Sequence, residues 1–502
     1  MIKTALLSVF DKTGIVELAS DLSDLGYRIL STGGTYSHLK KAGIKVVEVS
    51  ELTGFPEMMD GRVKTLHPHI HGGILHVRSN EQHLQDLQQH GISSIDIVVV
   101  NLYPFFSEMQ KNLAMDDLIE FIDIGGPTML RAAAKSFRDV LVLTDVADYD
   151  DAIKDLRNGE VSLNRRKELA AKVFNLTSAY DAAVAAALHA ETFPEFYTVS
   201  YRKSAELRYG ENPHQRAAYY TQTTGLGALA NFDQLQGKEL SFNNMRDMEV
   251  AWRVVQEFED TACCAVKHST PCGVALGNSV EEAYRKAHDC DPMSIFGGIV
   301  AFNRRVDAAT AQACTEIFLE IVVAPDFDQE ALDVFAKKKN LRIIRIHQPL
   351  HEQMQMVQTD GGLLVQERDL VQEHDYKVVT DTAPTAQQLS DLEFAMKIIK
   401  HVKSNAIVVA ANGMALGVGT GETNRIWAAQ QAVERAREKY DGPLAMASEA
   451  FFPFRDVVDF AAENAVNAIV QPGGSIQDKE SIAAANEHGI AMVFTGIRHF
   501  LH

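Results

Sequence analysis

A pattern that occurs twice in the second half of the chain restricts its fold more than any other feature. Ala265–Gly277 and Val402–Gly417 each contain a Val-Lys pair, polar residues at the end of an apolar run, and a Gly-x-Ala-Leu-Gly segment. A helical pattern precedes each copy, and a second helix and an apolar strand follow it. We therefore predict two tandem α/β/α units, each built around a hairpin, with a cleft between the copies.

The two copies are predicted to share one order of elements, and turn-forming residues are expected to reverse the chain at Pro271–Gly273 and at Asn412–Gly413. The predicted elements of the first copy are a helix at Asn244–Glu259, a hairpin at Ala262–Gly277, a helix at Val280–His288 and a strand at Gly298–Phe302. Those of the second are a helix at Ala386–Val402, a hairpin at Ala406–Val418, a helix at Thr423–Glu438 and a strand at Leu444–Ala447.

The first 150 residues alternate short apolar runs with amphipathic stretches, which predicts a mainly parallel sheet covered by helices. An alanine-rich helix at Leu163–Ala190 is expected to close this domain, and Glu191–Ser200 is expected to link it to the next. We place the domains at residues 1–195 and 196–502, and divide the second into units of roughly 196–365 and 366–502. The predicted strands are Thr4–Val9, Tyr27–Ser31, Lys45–Val49 and Asp96–Asn101, and the predicted helices are Gly14–Leu25 and Tyr36–Ala42.

Charge and cysteine content exclude several classes of function. The chain has 48 Lys and Arg against 67 Asp and Glu, a net charge of −19, which argues against a general nucleic-acid or anionic-membrane surface. Five cysteines without paired spacing favour a reducing compartment over a disulfide framework. We find no signal-peptide pattern and no apolar run of about 20 residues, the length that spans a bilayer. We expect a cytoplasmic protein.

Two loops in the first domain are candidates for binding phosphate. Ser31-Thr-Gly-Gly-Thr35 follows a strand and precedes a helix, as does Ser8–Gly14, which contains Lys12. Small hydroxyl side chains, glycines and helix N–H groups suit a phosphate, although a plain strand-to-helix turn has the same composition. Loops on adjacent strands would meet at one edge of the sheet, which favours the phosphate interpretation.

Further polar residues of this domain lie near predicted element ends. They are Arg62, Lys64 and Thr65 in a loop, Tyr103 after a strand, and Asp123 and Lys135 about three helical turns apart.

His67, His69 and His71 alternate as metal ligands on a strand would. Pro68 interrupts that strand and no acidic or cysteine partner has ligand spacing, so a metal site is disfavoured.

Two cofactor patterns are incomplete. Gly417-Val-Gly-Thr-Gly421 lacks the third position of the GxGxxG loop and follows a hairpin strand, so nicotinamide binding is disfavoured. His189-Ala-Glu191 and Pro271-Cys272 are similar to fragments of zinc deaminases, but the second cysteine would fall at Ala275. Zinc is therefore disfavoured.

The pair Lys267–His268 is our candidate for catalysis in the second half. A nearby cation disfavours protonation of the imidazole, so that it can accept a proton near neutral pH. The alternative is a histidine with a structural role only. Arg208–Gln215, at the start of this half, is dense in hydrogen-bonding groups.

Taken together, these segments resemble the bifunctional family that combines AICAR transformylase with IMP cyclohydrolase, over essentially the whole chain. The most specific segments are Ser31–Thr35, Arg62–Pro68, Asn101–Phe105, Ile122–Lys135, Arg208–Gln215, Val266–His268, Asp291–Gly298, Ser404–Arg425 and Phe451–Asp456. The resemblance implies an N-terminal methylglyoxal-synthase-like three-layer α/β/α domain, followed by two tandem cytidine-deaminase-like α/β/α units without zinc.

By this resemblance, the second domain moves a formyl group from 10-formyltetrahydrofolate to the amine of AICAR, which gives FAICAR. His268 would remove a proton from the amine, Lys267 would stabilise the oxyanion or protonate the leaving nitrogen, and Asn405 would orient the substrate. Arg208 and Arg425 would clamp the nucleotide. The remaining residues that the resemblance assigns to the substrate pocket are Tyr209, Asn244, Met293, Phe296, Gly297, Phe451 and His502.

The first domain would then close FAICAR to IMP with loss of water. Lys64 would stabilise the oxyanion, and Tyr103, Asp123 and Lys135 would share proton transfer. Phe10 departs from the family, which commonly has serine there, and the change is expected to weaken nucleotide binding. The residues expected to bind the phosphate and base are Ser8, Lys12, Ser31, Gly33, Gly34, Thr35, Arg62 and Thr65.

The resemblance also implies a homodimer with transformylase sites at its interface, and a monovalent cation, expected to be potassium, near the second site. The expected partners are AICAR, FAICAR, IMP and folate, with no nucleic acid, membrane, zinc or nicotinamide. Two alternatives remain: a monofunctional enzyme, and a nucleotide-binding regulatory module fused to a scaffold.

Overall fold

The computed structural model describes residues 2–59, 62–111, 113–189, 191–372 and 375–502. The chain divides into two compact units, Met1–Arg202 with Gln222–Thr224, and Lys203–Thr221 with Gly225–His502. We call them unit 1 and unit 2. The predicted boundary at residue 195 lies shortly before the end of the first segment of unit 1. Within the described ranges, no helix is both long and apolar enough to cross a bilayer.

Unit 1 is built on five parallel strands in the order β3-β2-β1-β4-β5. The strands are β1 Thr4–Ser8, β2 Arg28–Ser31, β3 Val46–Glu48, β4 Ile97–Val100 and β5 Leu141–Leu143. The apolar runs of β1, β2, β4 and β5 are buried and that of the edge strand β3 is partly buried, as expected for a sheet covered on both faces. The strand order reverses at β1, so right-handed crossovers place helices on opposite faces and give the predicted three layers.

The three helices that the sequence predicts in unit 1 are found close to the predicted residues, with one informative difference. The helix predicted from Tyr36 begins at Gly33, so the glycines of the candidate phosphate loop form its first turn. The helices are α1 Ile15–Asp24, α2 Gly33–Lys41, α3 Val49–Thr53, α4 Pro68–Leu75, α5 Glu81–Gln89, α6 Phe105–Glu108, α7 Met115–Ile119, α8 Gly125–Lys135, α9 Tyr149–Arg157 and α10 Leu163–Leu188. The last residue predicted for α10, Ala190, lies outside the described residues.

Unit 2 contains a 12-stranded sheet that runs through both copies of the repeat. Its order is β16-β21-β20-β19-β17-β18-β10-β9-β11-β12-β13-β8, so the copies join where β10 and β18 pair antiparallel. The strands of this sheet are β8 Phe232–Gln236, β9 Ala262–Lys267, β10 Thr270–Leu276, β11 Ile299–Phe302, β12 Ile321–Ala324, β13 Arg342–Ile346, β16 Lys377–Val378, β17 Ile407–Ala411, β18 Met414–Gly419, β19 Leu444–Ser448, β20 Val466–Gln471 and β21 Ala491–Phe494.

Beyond the large sheet, the described residues from Tyr201 onward form two separate strand pairs, β6 with β7 at the boundary between the units and β14 with β15, and eight helices. The additional strands are β6 Tyr201–Leu207, β7 Ala217–Gln222, β14 Met354–Thr359 and β15 Gly362–Glu367. The helices are α11 Phe242–Val255, α12 Val280–Cys290, α13 Ala308–Cys314, α14 Gln329–Phe335, α15 Ala386–Ile399, α16 Arg425–Arg437, α17 Asp456–Glu463 and α18 Asp478–Glu487.

The duplication is confirmed, but the residues that correspond differ from those expected. A β-carbon on Gly273 would meet Ala287 O of α12 at 2.1 Å, and one on Gly417 would meet Ala432 O of α16 at 1.9 Å. Gly273 therefore corresponds to Gly417 and not to Gly413. The Val-Lys pair that ends at Lys403 precedes β17, so it has no structural match to Lys267, which ends β9.

The first hairpin also turns at a different place from the prediction. Its turn residues are His268 and Ser269, with φ of 54° and 57°, whereas Pro271–Gly273 lies within β10 at an irregularity in the pairing. Proline is tolerated in a strand at such irregular positions. The turn predicted from Pro271 is therefore wrong, and the chain reverses earlier. The second turn, Asn412–Gly413, is as predicted, with φ of 54° and 67°.

Candidate active sites

A cavity of about 680 Å³ opens at the carboxyl ends of β1, β2 and β4 in unit 1. This is the point where the strand order reverses, which is the usual ligand site of open α/β sheets. The prediction that the two candidate phosphate loops meet at one sheet edge is confirmed. The predicted site residues that line this cavity are Ser8, Lys12, Gly33, Gly34, Thr35, Arg62, Lys64, Thr65, Tyr103 and Asp123.

The N-terminus of α2 forms one wall of the cavity. Its first-turn residues Gly33, Gly34 and Thr35 have no side chain capping their N–H groups, and a β-carbon on Gly33 would lie 3.2 Å from Lys64 Nζ. Lys64 Nζ also lies 2.8 Å from Glu57 Oε1. Backbone N–H groups at a helix N-terminus beside an ammonium group favour an anionic ligand.

Two of the predicted phosphate ligands stabilise the loops themselves. Ser31 is fully buried, and its Oγ donates to Leu7 O at 2.7 Å. Ser31 does not line the cavity, so its role as a direct ligand is not supported. Thr35 Oγ1 donates to Val9 O at 2.9 Å and accepts from Val9 N at 3.1 Å, which ties the start of α2 to the end of β1.

Lys12 and Asn101 shape the loop that follows β1. Lys12 Nζ donates to Val9 O and to Phe10 O, and burial lowers the pKa of this ammonium group, opposed by the charge of Asp11. Asn101 accepts from Phe10 N and Asp11 N and donates to Asp11 O at 3.0 Å. Asn101 also lines the cavity. The sequence did not indicate it as a site residue, because its partners Phe10 and Asp11 follow a different strand.

Asp123 is a half-buried carboxylate that lines the cavity. Burial raises its pKa, while hydrogen bonds from the backbone of Gly126 and Tyr103 act in the opposite direction. The segment that carries it is held by Tyr180 of α10, whose hydroxyl donates to Phe121 O at 2.9 Å and accepts from Asp123 N at 2.8 Å. Tyr180 is 1% exposed and was missed from the sequence, since only the fold brings α10 to this segment.

Tyr103 and Arg62 lie where the cavity is open to solvent. Tyr103 is 42% exposed, and its ring meets Phe10 edge-on with centroids 5.5 Å apart. Arg62 forms an exposed ion pair with Glu120. Both side chains are accessible to a ligand.

Lys135 is not brought into this cavity. It is the last residue of α8, whereas Asp123 and the N-terminus of that helix line the cavity. The helix rises by about 1.5 Å per residue, so its two ends are roughly 15 Å apart. The expected sharing of proton transfer by Lys135 is therefore not supported.

In unit 2, Lys267 and His268 stand at the end of β9 and in the turn after it. Lys267 Nζ donates to Phe296 O at 2.9 Å and to Gly297 O at 3.0 Å, so three of the predicted site residues lie together. The carboxylate of Asp247, on α11, accepts from His268 N at 3.2 Å and Ser269 N at 2.7 Å. We had not predicted Asp247 as a site residue, since it lies a helix and a strand away in the chain.

A second cavity, of about 210 Å³, lies between the two copies, as predicted. Lys267, His268 and Asp291 line it from the first copy, and Thr420 and Arg435 line it from the second. The hydroxyl of Thr420 donates to the backbone oxygen of Lys403 at 3.4 Å, which connects the cavity with the segment that carries Asn405.

Asn405 and Arg425 form one buried network with Glu449. Arg425 donates to Asn405 Oδ1 at 2.6 Å, to Ser448 Oγ at 2.9 Å, and to both carboxylate oxygens of Glu449. Asn405 Nδ2 donates to Glu422 O at 2.9 Å. Arg425 is 6% exposed, so its expected role as a direct clamp on the nucleotide is not supported; in this structure it orients Asn405.

Residues Arg208, Tyr209 and Asn244 lie at the start of α11. Tyr209 O accepts from Phe242 N at 3.3 Å, and the Arg208 guanidinium lies 5.3 Å from the centroid of the Tyr209 ring. Asn244 forms a capping box with Ser241, so a structural role accounts for its contacts. The guanidinium of Arg208 is exposed and available to an anion.

The other predicted pocket residues of unit 2 are exposed. Met293 is 88%, Phe296 58% and Phe451 39% exposed, and the ring of His502 lies 5.4 Å from that of Phe500. Exposed large apolar side chains near polar catalytic candidates provide a surface for an aromatic ligand or a protein partner.

The incomplete cofactor patterns have structural explanations. β-Carbons on Gly417 and Gly419 would meet Ala432 O and Ala428 O, so these glycines allow β18 to pack closely against α16.

Cys272, in β10, has its pKa raised to about 12 by burial. Among the described residues, no group of three potential metal-ligating side chains is found, and His67 caps α4 by accepting from His69 N at 3.1 Å.

The parallel sheet with an uncapped helix N-terminus beside Lys64, and the duplicated sheet with a Lys-His pair between its copies, define an α/β enzyme with two candidate sites. The model of the AICARFT/IMPCHase bienzyme family matches residues 133–435, and the model of the MGS-like domain matches residues 14–128. The chain belongs to the AICARFT/IMPCHase bienzyme family. The family predicted from the sequence and its fold class are confirmed.

The bifunctional purine biosynthesis protein PurH of Clostridium botulinum is 59% identical over 503 residues, which cover 100% of each chain. That of Clostridium perfringens is 56% identical over 505 residues, again covering 100% of each chain. The crystal structure of ForH is 42% identical and covers 36% of this chain and 95% of that chain, with a TM-score of 0.34, too low to support an argument about the fold.

Proposed function

We propose that the two activities of this bienzyme family are divided between the two units. Unit 2 transfers a formyl group from 10-formyltetrahydrofolate to AICAR, and unit 1 closes the resulting FAICAR to IMP. Together these are the last two steps of IMP synthesis. The single observation that best supports this division is the anion-binding cavity of unit 1, which collects Lys64, Tyr103 and Asp123 around the N-terminus of α2.

In unit 2, the amine of AICAR attacks the formyl carbon of the folate. His268 accepts the proton of the amine, a new C–N bond forms, and the bond from the formyl carbon to the folate nitrogen breaks as that nitrogen is protonated. An ammonium group has three donors, and Lys267 uses two on Phe296 O and Gly297 O. The third can donate to the oxyanion or protonate the leaving nitrogen.

Asn405 and Arg208 assist by positioning the nucleotide. Arg425 and Glu422 fix the plane of the Asn405 amide, which leaves one of its N–H groups for the substrate. The exposed Arg208 side chain supplies a cation for the phosphate. Phe296 and Phe451 offer apolar surface to the aromatic rings of the substrates.

In unit 1, the carboxamide nitrogen of FAICAR attacks the formyl carbon, and water leaves. The phosphate binds at the N-terminus of α2, and Lys64, beside Gly33, stabilises the oxyanion. Asp123 and Tyr103 transfer protons from the attacking nitrogen and to the leaving oxygen. Lys135 has no part in this proposal.

Separate assays of the two steps test the division. Lys267→Met is expected to abolish formyl transfer and leave the closure of supplied FAICAR intact, and Lys64→Met is expected to do the opposite. Lys286→Met, on α12, and Lys154→Met, on α9, are controls that remove a lysine elsewhere in the same unit. Loss of both activities in either site variant, or unchanged IMP synthesis, would contradict the assignment.

The alternative of one active unit and one regulatory unit is not favoured, since both relatives named above are bifunctional and align from end to end. The homodimer with sites at its interface, the monovalent cation and the cytoplasmic location stay predictions. Sedimentation of the purified protein tests the first of these.

A further inference from the structure

The turn that carries His268 has an unusual backbone conformation for its residues. His268 and Ser269 both have positive φ, 54° and 57°, in a two-residue hairpin turn. That type of turn strongly prefers Asn-Gly, because positive φ is uncommon for residues other than glycine; Asn, Asp and His adopt it more readily than most residues, and serine does not share that preference. The sequence His-Ser therefore needs support from elsewhere in unit 2.

The second copy shows what this turn looks like without a catalytic candidate. Its turn residues are Asn412 and Gly413, in the same conformation, and Asp391 Oδ1 accepts from Gly413 N at 2.9 Å. Asp391 holds the same position in α15 as Asp247 holds in α11. An aspartate from the preceding helix thus holds the turn in both copies, but only the second copy has the preferred turn residues.

Asp247 makes more contacts with its turn than Asp391 does. Its two oxygens accept from His268 N at 3.2 Å, from Ser269 N at 2.7 Å and from Ser269 Oγ at 3.1 Å. These bonds involve both strained residues. We infer that Asp247 is a positioning residue for formyl transfer, which holds the His268–Ser269 turn in its left-handed conformation and so fixes where the imidazole stands.

This inference rests on the proposed role of His268, and it requires no contact between Asp247 and substrate. A small misplacement of a catalytic group lowers its rate steeply, so loss of the carboxylate should slow formyl transfer about tenfold or more. The Michaelis constant for AICAR should change much less, since the nucleotide is bound by other residues. Cyclisation in unit 1 should be unchanged.

The test compares Asp247→Ala with the double variant Asp247→Ala/Ser269→Gly in the full-length protein. Glycine adopts positive φ without strain, so it should restore the turn and most of the lost rate without restoring the carboxylate. Asp247→Asn, which keeps one acceptor oxygen, should fall between wild type and Asp247→Ala. Asp391→Asn is the matched control, because its own turn is already Asn-Gly, and formyl transfer should persist in it.

Three results would overturn the inference: wild-type transfer rates in Asp247→Ala, a higher Michaelis constant with an unchanged turnover number, or no recovery in the double variant. If Asp247→Ala does not fold, Asp247→Asn with and without Ser269→Gly gives the same comparison. Failure of the proposed function itself is recognised separately, since wild-type protein would then not form FAICAR from AICAR and 10-formyltetrahydrofolate.

Discussion

The buried pair of Arg425 and Glu449 allows stability and catalysis in unit 2 to be separated. Glu449 is 0% and Arg425 6% exposed, and their hydrogen bonds link the pair to Asn405, Ser448 and the backbone N–H of Ala406. Arg425→Met leaves the carboxylate buried without its cation. Breaking a buried pair in this way costs roughly 3–5 kcal/mol.

The double variant Arg425→Met/Glu449→Gln removes both charges, and the glutamine oxygen can still accept from Ala406 N. Replacing both members of a buried pair is far less costly than removing one, so at least about 2 kcal/mol should be recovered relative to Arg425→Met. Formyl transfer should nevertheless remain low, because Asn405 Oδ1 has lost the guanidinium that orients it. Stability would return without activity.

Tryptophan fluorescence during urea unfolding measures this stability. The chain has 2 tryptophans, Trp252 and Trp427, and both lie in unit 2, so the signal follows that unit alone. Formyl transfer is assayed on the same samples, with cyclisation in unit 1 as the control. Costs below about 1 kcal/mol for Arg425→Met, or full return of transfer in the double variant, would refute the reasoning.

Three further predictions concern unit 1. Tyr180→Phe removes the hydroxyl that joins Phe121 O to Asp123 N, so cyclisation should slow and unit 1 should lose about 1–3 kcal/mol, measured by thermal unfolding beside an unchanged formyl-transfer rate. Burial raises the pKa of Asp123, so if its carboxylate is the base, the cyclisation rate should fall as pH drops through a value above the ordinary 3.8. That limb of the pH-rate profile should be absent in the residual activity of Asp123→Asn, and its persistence there would reassign the base. Phe10→Ser replaces the ring packed on Tyr103 by a hydroxyl donor, so the Michaelis constant for FAICAR should fall by a factor equivalent to about 0.5–1.5 kcal/mol; an unchanged or higher value would show that the serine is not needed.

Four strands of unit 1, both hairpins of unit 2, the helices beside them and the duplication were predictable, because hydrophobic periodicity and turn residues act locally. The sequence did not predict correctly which residues of the two copies occupy corresponding positions. The Gly-x-Ala-Leu-Gly similarity aligned Gly273 with Gly413, whereas the backbone pairs it with Gly417, because the close approach of a helix to a strand selects glycine by contact. The turn predicted at Pro271 was wrong for a similar reason, because Pro271 lies within β10 where an irregularity in the strand pairing accommodates it.

The sequence alone determined the family, the order of the predicted elements and most of the polar side chains around the unit 1 cavity, because short motifs and the ends of parallel strands carry that information. Only the tertiary structure decided that Lys135 lies away from that cavity and that Arg425 orients Asn405 instead of clamping the nucleotide directly. It also added Tyr180 and Asp247, which act on backbone groups far away in the chain. Such contacts leave no periodic or motif signal, since most of these hydrogen bonds are made with peptide groups, which every residue possesses.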